Sequence, residues 1–235
     1  MPDRFAYSNA LRDVHPVEKI VFAFSCMVIS LISGSIPVHS LVLIIMSAVV
    51  LLIAGIPLRY YVGIMSKALA FVLFGCAAVA YGAVDLNGAM LVFFRAAAAI
   101  SCFYFLILTT PAADILYILK KIPIPSIIIE LMGLTYRFIF VFMEIMQKTR
   151  TAQTSRLGYD GLKNSYRSMG VLIAGLFARM FRQVDSLNTA LESRGFTGEL
   201  NVMQREFKSS AVNIAAIVVV DALLIYAGVI FTGLR

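Results

Sequence analysis

Five stretches of the chain are almost free of charge over close to the roughly 20 residues that a helix needs to cross a ~30 Å hydrocarbon core. Ile20 to Ile36 is short and runs out at Ser33-Gly34-Ser35 and Pro37, and Val38 to Ile56 stops at Pro57. Ala68 to Val84 and Ala89 to Thr110 follow, the second closed by Thr109-Thr110-Pro111, and Ala211 to Phe231 is the last. A membrane-spanning helix is predicted over each. Between the fourth and the last the pattern changes. Ser126 to Ser155 and Tyr166 to Ser193 read as long amphipathic helices, preceded by a short one, Ala112 to Lys121, that ends at Pro123 and Pro125.

The links between the runs alternate in charge. Arg4, Arg12 and Lys19 precede the first run, Arg59 and Lys67 follow the second, and Lys120 and Lys121 follow the fourth. The links after the first and third runs carry no Lys or Arg, only His39 and Asp85. The excess of cations on cytoplasmic links therefore puts the N-terminus inside and brings the chain back inside after four spans. Ser126 to Met146 is apolar enough to pass for another span, yet it carries Glu130, Arg137 and Glu144. If it crossed, Lys148, Arg150, Arg156, Lys163, Arg167, Arg179, Arg182, Arg194, Arg205 and Lys208 would lie outside, against the rule that the other links obey.

The expected fold class is thus an all-α integral membrane protein with about five transmembrane helices. A cytoplasmic lead covers residues 1–19, a four-helix bundle 20–110, a cytoplasmic region of long amphipathic helices 111–208, and the final span 209–235. Composition agrees: 60% of the 235 residues are hydrophobic and 14% charged, against about 45–50% and roughly 25% in a soluble domain. The same figures exclude disorder, a coiled coil and a collagen-like fibre. Cys26, Cys76 and Cys102 each stand alone in an apolar run, an odd set without a C-x-x-C pair, and read as packing residues. Asp3, Arg4, Arg12, Asp13, Glu18 and Lys19 make the first 19 residues a polar lead into a span and not a cleaved signal peptide.

Both long amphipathic helices end in nearly the same words. The first ends Thr151-Ala152-Gln153-Thr154-Ser155-Arg156-Leu157-Gly158-Tyr159-Asp160-Gly161, the second Thr189-Ala190-Leu191-Glu192-Ser193-Arg194-Gly195-Phe196-Thr197-Gly198. Each reads T-A-x-x-S-R, then Gly, an aromatic, one polar residue and Gly, with Leu157 as one extra residue in the first copy. Capping and the helix dipole account for Arg followed by Gly at a helix end. They leave the shared Thr-Ala, the small Ser and the aromatic unexplained. A guanidinium among small residues at a helix tip suits insertion into a partner's groove, and two copies imply two equivalent grooves, as in a dimer on the cytoplasmic side. The chain has no G-x-x-x-x-G-K-[ST], no H-E-x-x-H, no G-x-S-x-G and only two histidines, so no catalytic chemistry has a visible carrier. Two docking tips without an engine point to an engine on a separate subunit.

These residues resemble the transmembrane coupling (T) component of an energy-coupling-factor (ECF) transporter, of the cobalt type called CbiQ. In that family two Ala-Arg-Gly signatures at the ends of two long coupling helices dock onto a pair of ABC-type ATPases. Ser193-Arg194-Gly195 matches with Ser for Ala, and Ser155-Arg156-Leu157-Gly158 departs further because Leu157 intervenes. The lead Asp13-Val14-His15-Pro16-Val17-Glu18-Lys19 and the Thr110-Pro111 step carry the resemblance over the whole chain and toward the cobalt branch. The resemblance implies a non-catalytic subunit of an ATP-driven importer in a prokaryotic cell (inner) membrane. It implies ATPase docking through Ser155, Arg156, Gly158, Ser193, Arg194 and Gly195. The implied partners are two ATPases, which hold the ATP and Mg, and a CbiM-like substrate-capture membrane subunit, with or without a CbiN-like one. That subunit, and not this chain, supplies metal ligands; no cofactor, no metal and no nucleic acid is expected on this chain.

Two charges lie inside runs, Arg95 and Asp221, each costing about 2.5–3.5 kcal/mol on insertion scales unless partnered. Both are expected to face the bundle interior, either as a direct pair or with Arg95 snorkelling or meeting the capture subunit. Glu130, Arg137 and Glu144, seven apart, share one stripe of their helix, facing the crossing helix, water or the capture subunit. Arg179 and Arg182 read as a solvated or lipid-headgroup face, His15 and His39 as interfacial residues, and the 11 methionines as adaptable packing. Two rivals remain, a T component serving nickel or a vitamin and a membrane-embedded transferase. The second needs clustered carboxylates or histidines that the scattered Asp160, Asp185, Glu192, Glu199 and Glu206 do not provide.

Overall fold

The computed structural model describes residues 3–83, 86–195 and 211–233, and every regular element among them is helical. A short helix α1 (Asp3–Ser8) and a 3-10 turn (Ala10–Asp13) lead into α2 (Pro16–Ile32). His15 caps α2, its Nδ1 accepting from the Val17 N–H at 3.2 Å, while Pro16 supplies the fixed φ suited to a first helical position. α3 (Ile36–Ala48) carries Pro37 in its first turn, where no N–H is missed, and runs on into a π-helical turn (Val49–Ile53). Then come α4 (Leu58–Ala83), α5 (Leu86–Thr109), α6 (Ala112–Leu119), α7 (Ser126–Thr154), α8 (Leu162–Glu192) and α9 (Ala211–Gly233).

The chain divides into two compact units, Met1–Ile118 with Arg205–Arg235, and Leu119–Gln204. In the first, α5 is the central helix and packs against α1, α2, α3 and α4, while α9 packs on α2 and α3. The small residues Ala97, Ala98, Ser101 and Cys102 of α5 are almost fully buried and let neighbouring backbones approach. Phe105 sits edge-on to Phe22 of α2, with ring centroids 5.6 Å apart, and Leu108, Met46, Val50, Tyr61 and Leu224 complete the core.

Polar contacts show how α2, α5 and α9 run relative to one another. α2 and α5 are antiparallel: Lys19 donates to the Thr109 carbonyl at one end, and Arg95 donates to the Leu31 carbonyl at the other. α2 and α9 are parallel, because Asn213 meets Glu18 at 3.1 Å and, further along both, Ser25 donates to Asp221 at 3.0 Å. The end of α5 and the start of α9 therefore share one turn of α2, and the chain between them leaves and returns at the same end of the bundle.

Several boundaries differ from expectation. The first membrane helix begins at Pro16 and ends at Ile32, so at 17 residues it is about 26 Å long. Ser33, Gly34 and Ser35 end it, and Ile36 already opens α3. α4 begins ten residues before the predicted Ala68, since Pro57 starts a helix that Arg59 and Lys67 do not interrupt. Among the described residues, five helices are long and apolar enough to cross a membrane: Ile36–Ile53, Leu58–Val79, Asn87–Thr109, Ser126–Thr154 and Ala211–Ile230. α2 falls just short of that measure and α7 meets it. The predicted link residue Asp85 and the stretch Phe196 to Lys208, with the boundary at 208, lie outside the described residues.

The second unit is a pair of helices joined by a tight corner. Among its described residues only Ile129 of α7 and Leu172 of α8 are buried. Of the charged stripe on α7, Glu144 pairs one turn on with Lys148 at 2.6 Å, on the exposed surface.

Candidate functional site

The two helix tips have the same backbone. At the first, the Gly158 N–H bonds the Gln153 carbonyl at 2.9 Å and the Leu157 N–H bonds the Thr154 carbonyl at 3.0 Å. This is the paired closure of a helix whose next residue turns left-handed, and Leu157 takes that turn with φ +56°. At the second, the Arg194 N–H bonds Leu191 and the Gly195 N–H bonds Glu192, and Gly195 is left-handed at φ +64°. Thr151 and Thr189 each return their hydroxyl to the carbonyl four residues back. Arg156 and Arg194 thus occupy one position, the last before the left-handed residue.

That register corrects the sequence alignment. Leu157 is not an insertion: it stands where Gly195 stands, and Gly158 corresponds to the residue after Gly195. Gly158 has its own reason to be glycine, because a Cβ there would lie 2.7 Å from Ser168 Oγ and 2.9 Å from the Gln153 carbonyl oxygen. Ser168 Oγ donates to the Gly158 carbonyl at 2.6 Å, and Gln153 donates to the Ser168 carbonyl while accepting from the Tyr159 hydroxyl at 2.8 Å. The Arg150 guanidinium lies 6.0 Å from the Tyr159 ring centroid. These bonds lock the corner between α7 and α8. Ser155, Arg156 and Leu157 stand outside it, exposed, Leu157 at 71%.

Ser193, Arg194 and Gly195 are likewise exposed. Neither tip guanidinium has a hydrogen-bonding partner among the described residues, and each sits where the negative end of a helix dipole favours a cation. An exposed Leu in the left-handed region costs of order 1–3 kcal/mol, a strain that the hydrogen-bonded helix closure around it sustains. The aromatic of the second signature, Phe196, lies outside the described residues.

Inside the bundle Arg95 and Asp221 do not form the direct pair that is one of the readings their positions leave open. Asp221 accepts from Ser25 Oγ at 3.0 Å and lies 3.8 Å from Cys26 Sγ, whereas Arg95 reaches the Leu31 carbonyl. Ser25 and Leu31 are six residues apart on α2, about 9 Å along its axis, so the two charges sit at different depths. His39, in the first turn of α3, turns its ring into the protein. It is fully buried, with Nδ1 3.0 Å from Ser30 Oγ. Sequence reasoning also missed Asn9, Glu18, Lys19 and Asn213, which bond across the bundle. Lys19 before an apolar run reads as an orientation signal, and nothing in the pattern says that it turns inward. Among the described residues, no three of His, Cys, Asp and Glu converge as a metal site requires.

A family model described as a cobalt transport protein, CbiQ, matches residues 7–205, a stretch holding both tips and the bundle up to α5. The chain belongs to the CbiQ family. It is 31% identical to the cobalt transport protein CbiQ of Rhodobacter capsulatus over 97% of each chain. It is also 32% identical to an uncharacterized protein of Methanocaldococcus jannaschii, over 95% of this chain and 90% of that one. A fused cobalt transport protein CbiMQ of Methanocorpusculum labreanum, described as putative, aligns with 94% of this chain at 28% identity, which fills 41% of its own length. With its long apolar helices, this chain is a multi-pass membrane protein of the CbiQ cobalt transport family.

Proposed function

We propose that the chain is the transmembrane coupling subunit of an ATP-driven ECF-type importer of cobalt ion. It transmits motion from two cytoplasmic ABC-type ATPases, which hold ATP and Mg, to a CbiM-like capture subunit. The observation that carries the reading is the pair of equivalent exposed tips, Arg156 and Arg194, each set before a left-handed residue at a helix end. Two identical presentations suit two like receptors. The fused CbiMQ relative supports a CbiM-like neighbour.

The direction of the helices supports the placement of the tips. Because the chain between α5 and α9 begins and ends on one face of the bundle, it crosses the membrane an even number of times. α8 carries Lys163, Arg167, Arg179, Arg182, Asp185 and Glu192 and is no candidate to cross. α7, despite its apolar length, then does not cross either. The lead cations Arg4, Arg12 and Lys19 make that face cytoplasmic, with the N-terminus inside. α7 and α8, 29 and 31 residues long, extend about 43 and 46 Å, so a small displacement at a tip becomes a tilt of a long lever.

The test is co-purification. Arg194→Glu is expected to release the ATPases while the chain still inserts, and Arg156→Glu to do the same. Each loses 30- to 1000-fold in affinity, about 2–4 kcal/mol, as for a central interface arginine. Undiminished recovery of the ATPases with both variants would refute the docking role. Uptake of radioactive cobalt, challenged with excess nickel, then decides the cargo.

A further inference from the structure

Glu18 and Lys19 are consecutive residues in the first turn of α2, and both are buried, at 7% and 3% exposure. A Lys at the start of a membrane helix ordinarily lays its stem along the surface and keeps its ammonium in water. This one turns inward instead and donates to the carbonyl of Thr109 at 3.0 Å, at the end of α5. Beside it the Asn9 amide donates to the Leu108 carbonyl at 3.0 Å, so two of the orphan carbonyls that close α5 are met by side chains from the lead and from α2. Glu18 turns to the other side and accepts from Asn213 Nδ2 at 3.1 Å, in the first turn of α9. Thr109 is where the chain leaves the bundle for α6 to α8, and Asn213 is where it returns. The two ends of that excursion are therefore tied to neighbouring residues of one helical turn.

Just inside the turn the surface opens into a groove of about 200 Å³ lined by Phe22, Val49, Ile53, Phe105 and Val220, next to Lys19, Glu18 and Asn213. Two of its walls, Val49 and Ile53, belong to the π-helical turn, where the regular ladder of α3 has already slipped. With an open groove on that side, the polar contacts of Lys19 and Glu18 add to the restraint that packing supplies between α2, α5 and α9.

We infer that Glu18 and Lys19 are the joint through which movement of the coupling helices enters the membrane bundle, Lys19 holding the outgoing end and Glu18 the returning end. They are positioning residues: they touch neither cargo nor nucleotide. The inference rests on the coupling role proposed above. Breaking the joint should leave docking and ATP hydrolysis in place while motion is no longer delivered to the bundle, so that hydrolysis runs without uptake.

The experiment uses the full chain assembled with its ATPases and capture subunit in vesicles, reading cobalt uptake per ATP hydrolysed. Asn213→Asp sets two carboxylates face to face and is expected to lower that ratio at least tenfold with the ATPases still bound. Adding Glu18→Gln restores an amide–carboxylate hydrogen bond with the roles exchanged, and the ratio should return to within about twofold of the unaltered chain. A merely structural role would not give this reciprocal rescue. Asn213→Ala, which removes the donor without adding a charge, replaces Asn213→Asp if that variant does not insert. An unchanged ratio in either variant, or no rescue by Glu18→Gln, overturns the joint. Amide hydrogen exchange on the chain alone in lipid discs is read in parallel and should rise at residues 108–112 and 211–215 in Asn213→Asp or Asn213→Ala. If the unaltered chain recruits no ATPase, the coupling role falls, while unchanged exchange sinks the joint by itself.

Discussion

α5 and α8 are both long helices with a wide apolar surface, and the molecule treats them in opposite ways. α5 buries Ala97, Ala98, Ser101, Cys102, Phe105, Leu108 and Thr109 against four neighbours and has its last carbonyls capped by Asn9 and Lys19. α8 buries Leu172 alone. Along one side of α8 run Leu162, Tyr166, Met169, Ile173, Phe177, Met180 and Val184, at spacings of three and four that keep them on a single face, and all are exposed. The bundle closes its own accounts within one chain, and the hairpin leaves its own open. Apolar surface of this kind on a helix read as non-spanning is what a subunit carries when part of its folding is completed in an assembly.

Three substitutions press on that contrast. Phe105→Ala removes a ring at 2% exposure that packs edge-on to Phe22, and it should lower the stability of the isolated chain in detergent by about 3–5 kcal/mol. Phe177→Ala, at 58% exposure on α8, should change the same denaturation midpoint by less than about 0.5 kcal/mol. A large effect of Phe177→Ala in the isolated chain would mean that the hairpin is as self-contained as the bundle. Between the two in size, Leu157→Gly relieves a left-handed backbone at an exposed position and should raise hairpin stability by about 1 kcal/mol, read by amide exchange at residues 150–158. A loss of protection there would show that the Leu157 side chain, and not only its backbone, holds the first tip.

Much of this was readable from the pattern of residues, for identifiable reasons. Runs of apolar residues ending at Pro57, Pro111 and Pro125 give helices and their stops, because proline removes a donor and fixes φ. Thr151 to Arg156 and Thr189 to Arg194 can be matched as text, and their equivalence survives in three dimensions. What the text misplaced was the residue after Arg156, since Leu157 hides a left-handed turn in which glycine is the expected occupant. Pairings across the bundle were less legible. Arg95 and Asp221 look like natural partners on a line of letters, but their depths are set by how α2 passes between them. His39 next to a Ser-Gly-Ser link reads as a boundary residue, and nothing in the letters says that its ring turns inward to Ser30. Side-chain direction decided each of these cases, and periodicity does not encode it for a helix surrounded by others.

The parallel run of α2 and α9 also governs how the molecule can be handled at the bench. A chain whose first and last membrane helices point the same way emerges on the opposite face from the one it entered, so a reporter joined after α9 and one joined ahead of α2 occupy different compartments. Under the proposed orientation, a label that must mature in the cytoplasm belongs in front of α2, and a probe that must be reached from outside the cell belongs behind α9.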